Sequence, residues 1–145
     1  MFALNIKMAS QANDYLLGFG SERRCISLLG NFFTKPFFSN GRYAPFDYSD
    51  EAKTIYVELK TRRINHDTYP TTIIGANKVE QCNDPTKQYW FAYCYQDGIY
   101  VIQYNKELFD TFETNPEYQR SNRSDTMNNS QHVIFIPIHH LAQIA

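Results

Sequence analysis

The sequence predicts one domain of the α/β class, of the α+β kind, over residues 1–145. Two patterns carry this prediction: a helical spacing of apolar side chains near the start, and two hairpin-like stretches further on. The composition agrees, because 43% hydrophobic and 20% charged residues are typical of a folded chain rather than a disordered one. The 16% aromatic content fits a core that contains strands.

The first predicted element is helical and covers residues 10–33. Gly18 and Gly20 predict a break, and Ser21 is placed to cap a second segment. Glu22 then falls in the first turn of that segment, where the helix dipole favours a carboxylate. The dipole alone accounts for Glu22, so structural and catalytic roles stand as equal alternatives.

A hairpin is predicted next, after a loop over residues 34–42. Residues 43–48 and 54–62 have strand character, and the polar residues 50–53 between them are turn-like. Because side chains alternate along a strand, the second strand separates two sets of residues. One face carries Ile55, Val57 and Leu59, and the other carries Tyr56, Glu58 and Lys60.

Two carboxylates and an ammonium meet in this hairpin. Asp47 precedes Glu58 by eleven residues, and Lys60 follows Glu58 by two. Folding over the turn brings Asp47 opposite the end of the strand that carries Glu58. Mg²⁺ prefers oxygen ligands, so Asp47, Glu58 and the backbone carbonyl of Leu59 are the candidate ligands.

Such a site can activate water against a phosphodiester, because a bound metal lowers the pKa of its water and neutralises phosphate charge. Lys60 would orient or deprotonate the water, or stabilise developing charge, and the sequence leaves this choice open. The alternative is a solvated face on which Glu58 and Lys60 form a weak ion pair.

Basic residues cluster near these positions although the net charge of the chain is −1. Arg62 and Arg63 follow Lys60, and Arg23 follows Glu22. A near-neutral chain that binds nucleic acid must do so through local patches, so these arginines are the candidate DNA contacts.

The second half of the chain predicts a further hairpin. Residues 89–95 and 99–104 are nearly continuous apolar and aromatic runs around Asp97-Gly98, which predicts two central strands covered on both faces. The other predicted elements are a polar connection at 64–70, a helix at 71–82, a short helix at 106–112, a flexible loop at 114–131, a strand at 132–138 and a short helix from His139.

The spacing of the cysteines and the length of the apolar runs predict the cellular compartment of the protein. Cys25, Cys82 and Cys94 are widely spaced and form no metal-binding pattern, which indicates reduced thiols in an intracellular protein, cytoplasmic or, in a eukaryotic or viral setting, nuclear. The N-terminal residues lack a long apolar stretch, and no run reaches the length of a membrane span, so no membrane partner is expected.

The hairpin resembles the PD-(D/E)XK nuclease superfamily. The matching residues are Pro45-Phe46-Asp47 and Val57-Glu58-Leu59-Lys60-Thr61, with Phe46 inserted between the proline and the aspartate. The resemblance implies a restriction-endonuclease-like fold, in which helices flank a central mixed sheet. It also implies Mg²⁺-dependent cleavage of DNA, with Mn²⁺ able to substitute, and an active centre of Asp47, Glu58 and Lys60.

Two further site residues follow from the resemblance. Many members carry a glutamate on the first helix, which Glu22 matches by position. Members often carry a polar residue on the helix after the Glu-x-Lys strand, and Lys78 is the candidate, facing either DNA or solvent. The expectation is therefore a DNA endonuclease, with a homodimer left open.

Three rival interpretations remain at this point. The first is a non-catalytic module that keeps the fold and binds nucleic acid or protein. The second is a structural protein whose charges are solvated surface. The third keeps the enzyme but makes Asp50, rather than Asp47, the metal ligand.

Overall fold

A computed structural model describes residues 21–119 and 130–145. Within these ranges short helices connect the strands of two sheets. The helices are α1 (Ser21–Phe33), α2 (Ala76–Glu80) and α3 (Lys106–Phe109), with a 3-10 turn at Ile138–His140. The strands are β1 (Phe37–Ser39), β2 (Tyr48–Asp50), β3 (Ile55–Thr61), β4 (Thr71–Gly75), β5 (Gln88–Tyr95), β6 (Gly98–Gln103), β7 (Thr114–Gln119), β8 (Ser130–Pro137) and β9 (Ala142–Gln143).

The large sheet has six strands in the order β1-β2-β3-β5-β6-β9. Its strands pair antiparallel except for β3 and β5, which are parallel and in register from Ile55 to Thr61. Parallel neighbours need a long crossover, and the chain between β3 and β5 supplies it with β4 and α2. The prediction of an α+β chain with a central mixed sheet is confirmed.

The two faces of the large sheet are covered differently. Helix α1 covers one face through Leu29, which packs with Val57 and Ala92. The small sheet, of order β4-β8-β7, covers the other face, where its Ile74 packs in the same cluster as Phe91. Successive residues of β5 therefore point into different cores, and the prediction that this strand is buried on both faces is confirmed.

The β5–β6 hairpin also follows the prediction. Tyr95 pairs with Gly98, which leaves Gln96 and Asp97 as the turn. Gly98 adopts a φ of 152°, and a Cβ there would lie 2.5 Å from the carbonyl oxygen of Ala145. Glycine is therefore required both by its backbone angle and by the close approach of the C-terminal residue.

The predicted helix at 71–82 is wrong over its first half. Residues Thr71–Gly75 form β4, which pairs antiparallel with β8, and only Ala76–Glu80 is helical. The run Thr-Thr-Ile-Ile is β-branched throughout and so fits a strand better than a helix. A short apolar run does not separate the two by periodicity.

The predicted loop at 114–131 is wrong at both ends. Residues Thr114–Gln119 form the edge strand β7 against β8, which itself begins at Ser130. The polar composition of an edge strand conceals it, and Pro116 lies where the register shifts between Asn115 and Tyr118. Residues 120–129 lie outside the described ranges.

Smaller differences concern element ends. Helix α1 confirms the segment from Ser21, whereas residues 10–20 of the predicted helix lie outside the described ranges. The strand predicted at 43–48 is instead Tyr48–Asp50, and a 3-10 turn followed by β9 replaces the predicted C-terminal helix. Among the described residues, no helix is both long and apolar enough to cross a bilayer.

Candidate metal and catalytic centre

Strand β3 positions Glu58 and Lys60 as predicted. Val57 packs in the core beneath α1, and Leu59 packs against that core. Glu58 and Lys60 point to the opposite face of the large sheet, and their side chains form an ion pair of 3.3 Å. Strand alternation therefore fixes both the direction and the proximity of these two groups.

Asp47 lies beside Glu58 because of the β2–β3 register. Asp47 immediately precedes β2, whose first residue, Tyr48, pairs with Val57, the residue before Glu58. One oxygen of Asp47, Oδ2, accepts the backbone N–H of Leu59 at 2.9 Å. The two carboxylates are close enough for the charge of Asp47 to raise the pKa of Glu58.

The backbone of Leu59 faces the same edge as Asp47. In a strand, the N–H and C=O of one residue point to the same neighbour. Since the N–H of Leu59 is directed at Asp47, its carbonyl lies on that side too. The carbonyl of Leu59, the third predicted ligand, therefore lies on the Asp47 side of β3.

Glu58 is the most constrained group of the site. Its exposed fraction is 3%, and its Oε2 is 3.3 Å from Lys60 Nζ and 3.2 Å from Lys78 Nζ. Its other oxygen, Oε1, is buried and has no hydrogen-bond partner among the described residues. Burial and the charge of Asp47 raise the pKa of Glu58, and the two ammonium groups oppose that rise.

Lys78 is brought to Glu58 from α2. Its Nζ also donates a 2.6 Å hydrogen bond to the carbonyl of Pro45, two residues before Asp47. Lys78 therefore joins α2 to the lead-in of β2 and holds both against β3. The sequence left DNA and solvent as the alternatives that Lys78 could face. The structure adds a third, because Lys78 contacts Glu58 and Pro45 within the protein.

Asp50 serves the hairpin rather than the site. Its carboxylate accepts hydrogen bonds from the Thr54 backbone at 2.8 Å, the Thr54 hydroxyl at 2.6 Å and the Ile55 backbone at 3.0 Å, and it pairs with Lys35 at 3.3 Å. Burial acts to raise its pKa, but these hydrogen bonds hold the pKa far below its usual range. With both oxygens occupied, Asp50 is a poor metal ligand.

Glu22 contacts Tyr48 and, among the described residues, makes no hydrogen bond or ion pair with Asp47 or Glu58. Its Oε2 accepts a 3.1 Å hydrogen bond from the hydroxyl of Tyr48, which packs in the core beneath α1. That core is on the face of the large sheet opposite Glu58. Burial, and next the charge of Glu22, raise the pKa of Tyr48.

The predicted DNA contacts occupy two places. Arg62 continues the row of Glu58 and Lys60 along one face, and its guanidinium lies 5.7 Å from the ring centroid of Tyr93. Arg63 is exposed just beyond β3, and Arg23 is exposed in the first turn of α1. The first two therefore follow Lys60 at the end of β3, while Arg23 belongs to α1.

A second polar cluster was not predicted by any sequence pattern. His66, Asp67 and Asp97 offer ligand atoms within 4.8 Å of one another. His66 Nδ1 is 2.5 Å from Asp97 Oδ2 and 3.0 Å from the hydroxyl of Tyr100. The two ends of this cluster are 31 residues apart, so no local motif could reveal it. These contacts fasten the β3–β4 connection to the β5–β6 turn.

The donor set at Asp47 and Glu58 fits a hard divalent cation. Both side chains offer carboxylate oxygens, and the partnerless Oε1 of Glu58 is a buried acceptor that a cation would satisfy. Only one oxygen of Asp47 has a hydrogen bond among the described residues. No protein-family model matches this chain, and a search of curated proteins finds no match either.

Proposed function

We propose that the protein is a metal-dependent deoxyribonuclease of the PD-(D/E)XK type that cleaves internal phosphodiester bonds of DNA. The observation that carries the proposal is the buried Oε1 of Glu58, which has no hydrogen-bond partner within residues 21–119 and 130–145 and lies near the charge of Asp47. An unsatisfied buried acceptor costs about 1–3 kcal/mol, and more when it is charged. A fold that keeps one has a reason, and the binding of a cation is the simplest.

The fold supports the proposal in outline. Helix α1, the antiparallel strands β1 to β3 and a crossover to a parallel neighbour of β3 agree with a restriction-endonuclease-like arrangement. Glu58 and Lys60 lie on β3, the strand at the junction of antiparallel and parallel pairing, and Asp47 lies just before β2. One departure is that a small sheet and a five-residue helix cover the second face.

Each residue then has a role that its geometry allows. Asp47, Glu58 and the carbonyl of Leu59 would hold Mg²⁺, which when bound supplies an acidified water and neutralises phosphate charge. Lys60 is 33% exposed and contacts Glu58, so its ammonium reaches both the carboxylates and an incoming phosphate. It would orient the attacking water or stabilise charge on the phosphate. Arg62 and Arg63 would contact the DNA backbone beyond Lys60.

We expect Lys60→Ala to slow cleavage by about 10²–10⁴-fold, the range typical of losing one acid–base or charge-stabilising group. Cleavage of supercoiled, linear, single-stranded and branched DNA is measured with Mg²⁺ or Mn²⁺ and again with EDTA. Lys106→Ala is the matched control, because Lys106 is exposed and pairs only with Asp110 among the described residues. Equal rates for Lys60→Ala and Lys106→Ala would contradict the proposal. Binding of DNA without cleavage of any substrate would favour the non-catalytic module.

Glu22→Gln is expected to lower the cleavage rate less than tenfold. The substitution keeps an acceptor for the hydroxyl of Tyr48 and changes a charge on the face opposite Glu58. Single-turnover cleavage rates of Glu22→Gln and Asp47→Asn are compared at one Mg²⁺ concentration. A loss with Glu22→Gln as large as that with Asp47→Asn would assign Glu22 to the reacting centre instead.

A further inference from the structure

A pocket opens next to the carboxylates, on the same face of the large sheet. Its volume is about 360 Å³, within the range of small-molecule sites, and Phe46 and Tyr56 form part of its wall. Phe46 is the residue before Asp47, and Tyr56 precedes Glu58 by two positions on β3. Since residues two apart on a strand are about 7 Å apart, the pocket lies one pleat from Glu58.

The wall of the pocket is aromatic. The rings of Tyr56 and Tyr89 are nearly parallel, with centroids 5.7 Å apart and an interplanar angle of 19°. Phe46 supports both, at 5.1 Å from Tyr89 and 5.9 Å from Tyr56. Tyr56 is only partly buried, so it can present a ring face to a ligand. Aromatic faces of this kind stack on nucleobases.

Polar and basic side chains complete the lining. Two lysines, Lys53 and Lys87, outnumber the acidic residue of the lining, Asp84, whose carboxylate accepts hydrogen bonds from Thr86. The side-chain amides of Gln81 and Asn83 make no hydrogen bond within the described part of the chain, and each offers donors and an acceptor. Amides can pair with the edge of a base, and lysines can pair with the flanking phosphates.

We propose that this pocket holds one unpaired nucleobase of the DNA strand whose phosphate lies at Asp47 and Glu58. The inference rests on the proposed nuclease function and specifies its substrate as single-stranded or locally unpaired DNA. A paired base cannot enter a pocket beside the reacting phosphate without leaving its stack. The carboxylates and the pocket therefore select the same strand at neighbouring positions.

The first test measures binding and does not depend on cleavage. The Glu58→Gln protein is titrated, by fluorescence anisotropy, into a labelled single-stranded oligonucleotide and into the fully paired duplex. We expect the single strand to bind at least about tenfold more tightly than the duplex. Tyr56→Leu should weaken binding of the single strand about tenfold, as loss of one stacked base does. Tyr56→Phe keeps the ring and should retain the affinity.

A second variant protects the test against misfolding. Gln81 and Asn83 are exposed, so the double variant Gln81→Ala/Asn83→Ala leaves the core intact and should also weaken the single strand severalfold. Thermal melting checks the fold of each variant. Equal affinity of the protein for the two DNA forms would contradict the proposal that the pocket binds an unpaired base. So would affinities that neither Tyr56→Leu nor the double variant changes.

Cleavage then separates the pocket from the nuclease function. One abasic site is moved step by step along the substrate of the wild-type protein, and we expect a rate loss of tenfold or more at a single position relative to the cut. Metal-dependent cleavage that is insensitive to every abasic position would contradict base binding by the pocket but agree with the nuclease function. Single-strand binding that depends on Tyr56, without any cleavage, supports the pocket and overturns the nuclease.

Discussion

Glu58→Gln is expected to abolish metal-dependent cleavage, by about 10³-fold or more, while making the fold more stable. The loss follows because an amide cannot replace a carboxylate as a ligand of Mg²⁺ beside Asp47. The gain follows because Glu58 is a buried acid with a like charge near it, and one of its oxygens has no hydrogen-bond partner in the part of the chain that the structure describes. The amide removes that repulsion and can donate to Asp47.

The stability gain is expected to be about 1 kcal/mol, in the range seen when a strained functional residue is neutralised. Lys60 and Lys78 do not cancel it, because they are 33% and 25% exposed and can turn to water once their partner is neutral. Loss of one partner from an ion pair destabilises a fold strongly when the other charge stays buried, which is not the case for these two partly exposed lysines.

The gain depends on pH in a defined direction. The pKa of Glu58 is raised in the folded state, so the folded protein holds the proton more tightly than the unfolded chain. Stability of the wild type then falls as pH rises from the unfolded pKa, about 4.3, to the higher folded pKa. The stability of the Glu58→Gln variant does not fall in this way. Its free energy of unfolding relative to the wild type should therefore increase across that pH interval and stay constant above it.

Urea unfolding at several pH values, alongside single-turnover cleavage, measures both effects. Glu51→Gln is the matched control, because Glu51 is exposed in the adjacent turn and should change neither quantity. A Glu58→Gln protein that is clearly less stable than the wild type would show that its carboxylate stabilises the fold. A Glu58→Gln protein that still cleaves DNA would show that Glu58 is not a metal ligand.

Asp50→Ala is expected to cost about 2–4 kcal/mol of unfolding free energy. Asp50 is 3% exposed and holds the turn between β2 and β3 through Thr54, Ile55 and Lys35. Removing it leaves two backbone N–H groups at the start of β3 without acceptors, and each such loss costs about 1–3 kcal/mol. Asp110→Ala, at an exposed i,i+4 pair with Lys106, should cost less than about 0.5 kcal/mol.

The contribution of Asp50 should disappear in acid. Its folded pKa is depressed, so its stabilisation is complete above the unfolded pKa of about 3.9 and is lost as pH falls below that value towards the folded pKa. Wild type and Asp50→Ala should therefore converge in stability at low pH when both are followed by urea unfolding. A difference that persists unchanged to low pH would assign the stabilisation to packing.

The same variant tests the rival ligand. At a temperature where Asp50→Ala is still folded, its cleavage rate should stay within a few-fold of the wild type, because both oxygens of Asp50 already serve the hairpin. A folded Asp50→Ala protein without activity, together with an active Asp47→Asn protein, would make Asp50 the ligand.

The features that depend on neighbouring residues alone could be predicted from the amino-acid sequence. Alternation along β3 put Glu58 and Lys60 on one face and Val57 on the other, because successive side chains of a strand must point apart. Asp97-Gly98 likewise specified the β5–β6 turn, since the conformation there demands glycine. Both conclusions need only local geometry, which a few consecutive residues contain.

Which distant groups meet depends on long-range packing, which local sequence patterns do not contain. Lys78 reaches Glu58 and Pro45 because β4 pairs with β8 and turns α2 towards the large sheet, and the sequence around Lys78 contains none of that pairing. Glu22 was separated from Glu58 in the same way, by the thickness of the sheet between them. Long-range packing thus determines which of several plausible charged residues meet at the buried carboxylate of Glu58.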